Sequence, residues 1–247
     1  MEILLGFAIA VAIGITGVGG GVITAPALML FLGVPPLEAV TTSLLFAACV
    51  KLLIAPQYLW RKQVNFRVLA KLLAGGIPGV VAGTFLLARL SASKHNNLMY
   101  AILGFTIAVM SAIHLYRLTK GLPVHSDSDR SRWLPLMALP IGVEVGFSSA
   151  GAGALGTLAL MGTTKLTTAE VVATDVFFGL GLSLIGGGLH YSAGHAAPIL
   201  LYKLLVGGVV GAFAGVYVAS SVPTRPLRAA LCVWLILIGV QLCWRAF

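Results

Sequence analysis

Eight apolar stretches, each about twenty residues or longer, follow one another along this chain, and a membrane-spanning helix needs about 20 apolar residues. They cover approximately residues 2–33, 39–60, 66–90, 97–117, 133–163, 168–191, 197–220 and 226–246. The expected fold is therefore an all-α polytopic membrane protein. Composition agrees: of 247 residues 59% are apolar and 9% charged, against roughly 25% charged in soluble domains, and the mean hydropathy is +1.01. A soluble globule and a disordered chain are both excluded. The cysteines Cys49, Cys232 and Cys243 lie singly within apolar segments, so neither a disulfide framework nor a metal cage is expected. The net charge of +9 comes from 16 Lys and Arg placed mostly in short links, as in membrane proteins, and does not point to nucleic acid. The first segment lacks a basic leader and a small-residue cleavage site, so residue 1 is expected in the mature protein.

The sequence repeats itself. Displaced by 132 positions without a gap, it matches itself at 24 positions across residues 4–103, where roughly ten would match by chance. Gly14, Gly19 and Gly21 fall on Gly146, Gly151 and Gly153, and Glu38, Val40 and Thr42 on Glu170, Val172 and Thr174. KLLAGGIPGVVAG (71–83) falls on KLLVGGVVGAFAG (203–215). The expected organisation is a first transmembrane repeat over 1–118, a linker over 119–132 containing the polar TKGLPVHSDSDRSR, and a second repeat over 133–247.

Segments 1 and 5 decide the topology. Each has about 31 residues, which as one helix would rise about 46 Å through a core of about 30 Å. Each is interrupted, by GVGGG (17–21) and by SSAGAGALG (148–156). With all eight segments crossing once, the basic residues of the links divide 8 against 5; with segments 1 and 5 entering and returning, they divide 10 against 3. The second division follows the positive-inside rule. It favours two inverted halves, each a broken or re-entrant element plus three spanning helices, with both termini outside and the linker in the cytoplasm.

A glycine-rich break at membrane depth frees backbone groups that lipid cannot satisfy, so it survives where it lines a cavity or binds something. Helices restarting near Gly21 and Gly153 would offer free amides and a positive dipole end to an anion. The candidate substrate-binding residues are Thr16, Gly19, Gly20, Gly21 and Thr24 in the first half and Ser148, Gly151, Gly153 and Thr157 in the second, with the matched pair Thr42 and Thr174; the Ser149 hydroxyl lies beside the second break. The competing reading is that these glycines serve close helix packing. Packing is the preferred reading for Gly75, Gly79, Gly83 and their copies Gly207, Gly211, Gly215, which recur at i, i+4.

Glu38 and Glu170 sit in first helical turns and read as caps. Glu144 and Asp175 lie inside apolar segments, where a carboxylate is costly; each is a candidate coupling acid or a neutral buried acid held for structure. Lys51, mid-segment, is a candidate counter-charge for an anion or a lysine facing water. Lys71 and Lys203 read as snorkelling, the five histidines as interfacial or solvated, and the four tryptophans mostly as belt residues. Ser148 and Ser149 have no histidine partner within the bilayer, so no catalytic residue is expected.

GITGVGGGVITAPALMLFLGVPPLEAVTTSLLF (14–46), the GG-x-x-G-x-x-x-G segment and GAGALGTLALMGTTKLTTAEVVATD (151–175) resemble the TauE/SafE family, the sulfite exporters, over nearly the whole chain. The second half departs from the first in having Ala152 between its glycines and Leu158 opposite Pro26. The resemblance implies a multi-pass secondary transporter of a bacterial-type inner membrane, exporting sulfite, sulfoacetate or a related organosulfonate by alternating access. Its partners would be a small anion and the lipid bilayer, with no cofactor, no metal and no nucleic acid; a homo-oligomer is left open. The alternatives are a membrane assembly or maturation factor and an uncoupled anion channel.

Overall fold

The structure is a computed structural model and describes residues 2–16, 21–92, 96–120, 130–195, 197–219 and 224–244. It is all-helical over these residues: α1 Glu2–Thr16, α2 Gly21–Phe31, α3 Pro36–Trp60, α4 Phe66–Ala92, α5 Asn96–Lys120, a 3₁₀ turn Ser131–Trp133, α6 Leu134–Ser148, α7 Ala152–Thr163, α8 Thr168–Ser192, α9 Pro198–Ala219 and α10 Thr224–Trp244. Among the described residues, α3, α4, α8 and residues Pro198–Gly215 of α9 are long and apolar enough to cross a membrane. Segment 5 is two short helices, and segment 1 is described as α1 and α2 on either side of residues 17–20, which lie outside the described residues; the other six segments are one helix each. Of the 119–132 linker, Thr119 and Lys120 finish α5, Arg130–Arg132 lead into α6, and 121–129 lie outside the described residues.

Local chemistry sets where helices start. Thr167 and Glu170 form a capping box on α8: Thr167 Oγ1 accepts from Glu170 N at 3.3 Å and Thr167 N donates to Glu170 Oε2 at 2.9 Å. Glu38 does not do the same. The α3 N-cap is Pro35, with no side-chain capping bond, because a prolyl ring brings no acceptor; Glu38 stays exposed. At the start of α4, Asn65 Oδ1 accepts from Val68 N at 3.1 Å and Asn65 N donates to Thr174 Oγ1 at 3.1 Å, tying the α3–α4 link to α8.

Lipid provides no hydrophobic force between helices, so their association depends on close backbone approach, and glycine supplies it. The most extensive contacts are α4 along α6 and α1 along α9. Gly75, Gly79 and Gly83 each face a carbonyl of α6, those of Pro135, Leu139 and Val143, at distances that leave no room for a β-carbon. Gly207 and Gly211 face the carbonyls of Ile3 and Phe7 on α1 in the same manner. Two buried rings close the layer above: Phe178 of α8 packs over Gly76 of α4, and Phe46 of α3 over Gly208 of α9. The contacts of Gly75, Gly76 and Gly79 have their counterparts 132 residues away in those of Gly207, Gly208 and Gly211. The third large contact joins α5 to α10, where Gly104 and Gly239 meet backbone to backbone. The outward surface is apolar, with Phe85, Phe105, Phe213 and Leu237 exposed.

Trp60, Trp133 and Trp244 are exposed, whereas Trp234 stacks on Phe31 with centroids 6.4 Å apart. His190 corrects the reading of the histidines as interfacial. It lies near the end of α8 but is buried, with Nε2 3.4 Å from the Gly146 carbonyl of α6. Closeness to a segment end says nothing of which face a residue occupies.

Candidate functional site

The second break is well defined. Helix α6 ends on Ser149 in the left-handed region, at φ 64°, and Gly151 caps α7 at φ 97°. The left-handed region favours glycine, and a non-glycine there stays only where its surroundings hold it. Here Ser148 is the brace: its Oγ donates to Glu144 Oε1 at 2.8 Å and accepts from Ala150 N at 3.1 Å. Arg130 N donates to the Thr163 carbonyl at 2.8 Å, so the entrance to α6 lies against the exit of α7. Segment 5 thus folds back on itself with Ser149–Gly151 at its turn.

The start of α2 meets this second break. Gly21, the first residue of α2, lies against the carbonyl and hydroxyl of Ser149, and a β-carbon on Gly21 would occupy the same space. Ser43 of α3 joins them, with its Oγ 3.3 Å from the Gly21 carbonyl and 3.0 Å from Ser149 Oγ. Ser43, Ser148, Ser149 and Ala150 are all buried. The first described turn of α2 and the N-terminus of α7, whose first-turn amides have no intrahelical partner, therefore approach one buried cluster of hydroxyls.

One positive charge lies near the start of α7. Lys51 of α3 is 7% exposed, its Nζ lies over Gly179 of α8, and Gly179 also faces Ala152, the first residue of α7. Asp175, one turn before Gly179, is 5% exposed; its Oδ2 accepts from Thr157 Oγ1 at 3.1 Å and its Oδ1 has no hydrogen-bond partner.

The candidate residues therefore divide. Gly21, Ser148, Ser149, Gly151 and Lys51 gather at or beside the meeting of α2 with the second break. Gly153 and Thr157 lie in the first turns of α7, with Thr157 Oγ1 donating to the Gly153 carbonyl at 2.8 Å. Thr24 is buried in α2, and Thr42 is buried with its hydroxyl unpartnered. Thr174 is engaged by Asn65 and serves the α3–α4 link. Gly19, Gly20 and the Thr16 side chain lie outside the described residues. Ser43 was absent from the candidate set; its signal in the sequence is that it occupies the position matched to Asp175.

Comparison with known proteins follows the same line. A family model described as Sulfite exporter TauE/SafE matches residues 2–242. Two Bacillus subtilis proteins are similar over almost their full lengths. The probable membrane transporter protein YjnA is 26% identical over 97% of this chain and 98% of its own, and YdhB, of the same description, is 26% identical over 93% and 94%. A probable membrane transporter protein of Xylella fastidiosa is 33% identical over 43% of this chain and 40% of its own. No solved structure matches the chain.

Proposed function

This chain belongs to the sulfite exporter TauE/SafE family, a family of membrane transporters, and from that premise we propose that it carries a small sulfur-containing anion across a bacterial-type inner membrane by alternating access. It is a multi-pass membrane protein. The transported class is sulfite, sulfoacetate or a related organosulfonate, and the direction is outward. The observation that carries this reading is the approach of α2 to the second break, Gly21 against Ser149 with Ser43 between them. Helix N-termini and hydroxyls in a water-poor interior favour a partly desolvated oxyanion, and Lys51 adds the counter-charge.

The two halves, residues 1–118 and 133–247, act as inverted repeats, each of one folded-over element and three spanning helices, with both termini outside and the link between them in the cytoplasm. The 132-residue repeat, the 10 to 3 division of basic residues and the matched glycine contacts of α4 on α6 and α9 on α1 support this. Because α2 and the second break come one from each half, rocking one half against the other exposes the anion to one side and then to the other. Glu144 braces the second break through Ser148 and takes a positioning role rather than a coupling one.

The test is flux of radiolabelled sulfite into liposomes holding the purified chain, with sulfoacetate and sulfate as competitors. Saturable uptake with counterflow is expected. Flux without saturation or counterflow indicates a channel. Folded protein that moves none of these anions contradicts the reading and leaves the assembly-factor alternative.

A further inference from the structure

Lys51 and Asp175 reach the second break from facing helices, and two glycines make the room they occupy. A β-carbon on Gly179 would displace the Lys51 ammonium, and one on Gly156 would displace the Asp175 carboxylate. The Lys51 ammonium lies at Gly179 and the Asp175 carboxylate springs from α8 one turn earlier, and the two are not in direct contact. The ion pair among the described residues is Glu2 with Lys203, at 2.7 Å. Asp175 Oδ1, in a side chain more than nine-tenths buried, has no hydrogen-bond partner. An open carboxyl oxygen in a desolvated site is costly unless something completes it.

The other groups packed around α8 do not compete for this role. Helix α7 contributes Thr157 and carries no titratable side chain. From α4, Arg67 is exposed and Lys71 donates to Ser131 Oγ at 2.7 Å. From α6, Glu144 is engaged by Ser148. On α3, Glu38 is exposed near the opposite end of the helix from Trp60.

We propose that Lys51 and Asp175 form a charge-exchange element: without substrate the ionised Asp175 neutralises Lys51, and with substrate the anion takes Lys51 while Asp175 holds a proton on Oδ1. This deepens the carrier reading and rests on it. The proton comes from water on the side the anion enters, forms an O–H bond at Oδ1, and leaves to water on the side of release; no other bond changes. The buried site then stays neutral in both states. Lysine with ionised Asp175 sums to zero, and lysine with a monoanion and protonated Asp175 also sums to zero. Binding the anion beside an ionised Asp175 would leave a buried net negative charge, the expensive case. Three consequences follow. One proton travels with each anion in the same direction, the net movement is electroneutral, and monoanions such as hydrogensulfite and simple alkanesulfonates are preferred over dianions such as sulfate and carboxylate-ionised sulfoacetate.

The test uses the full chain in liposomes, with labelled sulfite in acidic buffer, where hydrogensulfite dominates, and protein-free liposomes to subtract diffusion of sulfur dioxide. A gradient of one pH unit at clamped zero voltage is expected to sustain an anion gradient of about tenfold by linkage, and imposed voltage is expected to change nothing. Asp175→Asn is expected to keep counterflow but lose the response to pH, its net flux following voltage instead. Lys51→Met loses counterflow as well. A second measurement needs no variant: adding hydrogensulfite to the wild-type chain in weakly buffered detergent should take up about one proton per anion bound. Saturable wild-type flux that follows voltage and ignores the pH gradient, or binding without proton uptake, overturns the charge-exchange element while leaving the carrier intact. Absence of saturable wild-type flux and of binding overturns the carrier reading, and this inference with it.

Discussion

Gly21→Val is expected to reduce anion flux to that of protein-free liposomes. A β-carbon at Gly21 coincides with the Ser149 carbonyl and hydroxyl, so the valine forces α2 away from the second break. Ser43 Oγ then loses its 3.3 Å contact with the Gly21 carbonyl and its 3.0 Å contact with Ser149 Oγ. Overpacking a well-filled site costs about 1–3 kcal/mol when side chains can yield, and a backbone carbonyl yields less readily. Gly188→Ala is the control, because nothing lies within 4 Å of its added carbon; it should keep both flux and melting temperature. Wild-type flux from Gly21→Val would mean that the meeting of α2 with the second break is not the site.

Gly79→Leu is expected to have the largest effect on stability. Gly79 sits mid-way along the contact of α4 with α6 and faces the Leu139 carbonyl, with Gly142 and Val143 backbone atoms close behind. A leucine there must separate two helices over the turns on either side, releasing the approach of Gly75 to Pro135 and of Gly83 to Val143 as well. The cost should be about 3 kcal/mol or more. The checks are the yield of monodisperse protein and its thermal unfolding in detergent. Melting within a degree or two of the parent would contradict the packing role of the α4 glycines.

The positions of the helices were legible because apolar runs and basic links alternate cleanly along the chain, and only segments 1 and 5 were too long for one crossing. The turn at Ser149–Gly151 was legible for a related reason, since consecutive small residues weaken a helix more than packing needs. The encounter of α2 with the second break was not legible. Ser43 and Ser149 are 106 residues apart, and nothing in a one-dimensional pattern brings α3 to the tip of the α6–α7 turn. Lys51 and Asp175 were each visible as costly charges in apolar segments, but their placement one turn apart along α8 depends on the helix crossing that Gly156 and Gly179 permit. His190 failed in the opposite direction, its closeness to the end of an apolar segment suggesting water where the fold places α6. Glu38 and Glu170 read alike in sequence and differ in the fold because Thr167 offers a hydroxyl and Pro35 does not.

The central claim is that the anion passes where α2 meets the second break, and a reversible lock tests it most directly. In a background lacking Cys49, Cys232 and Cys243, Ser43→Cys and Ser149→Cys place two thiols where hydroxyl oxygens now lie 3.0 Å apart. Oxidation should join α3 to the tip of the second break and stop saturable sulfite flux, and reduction should restore it; each single cysteine variant should be indifferent to oxidant. Flux that continues unchanged with the bridge formed would contradict the account.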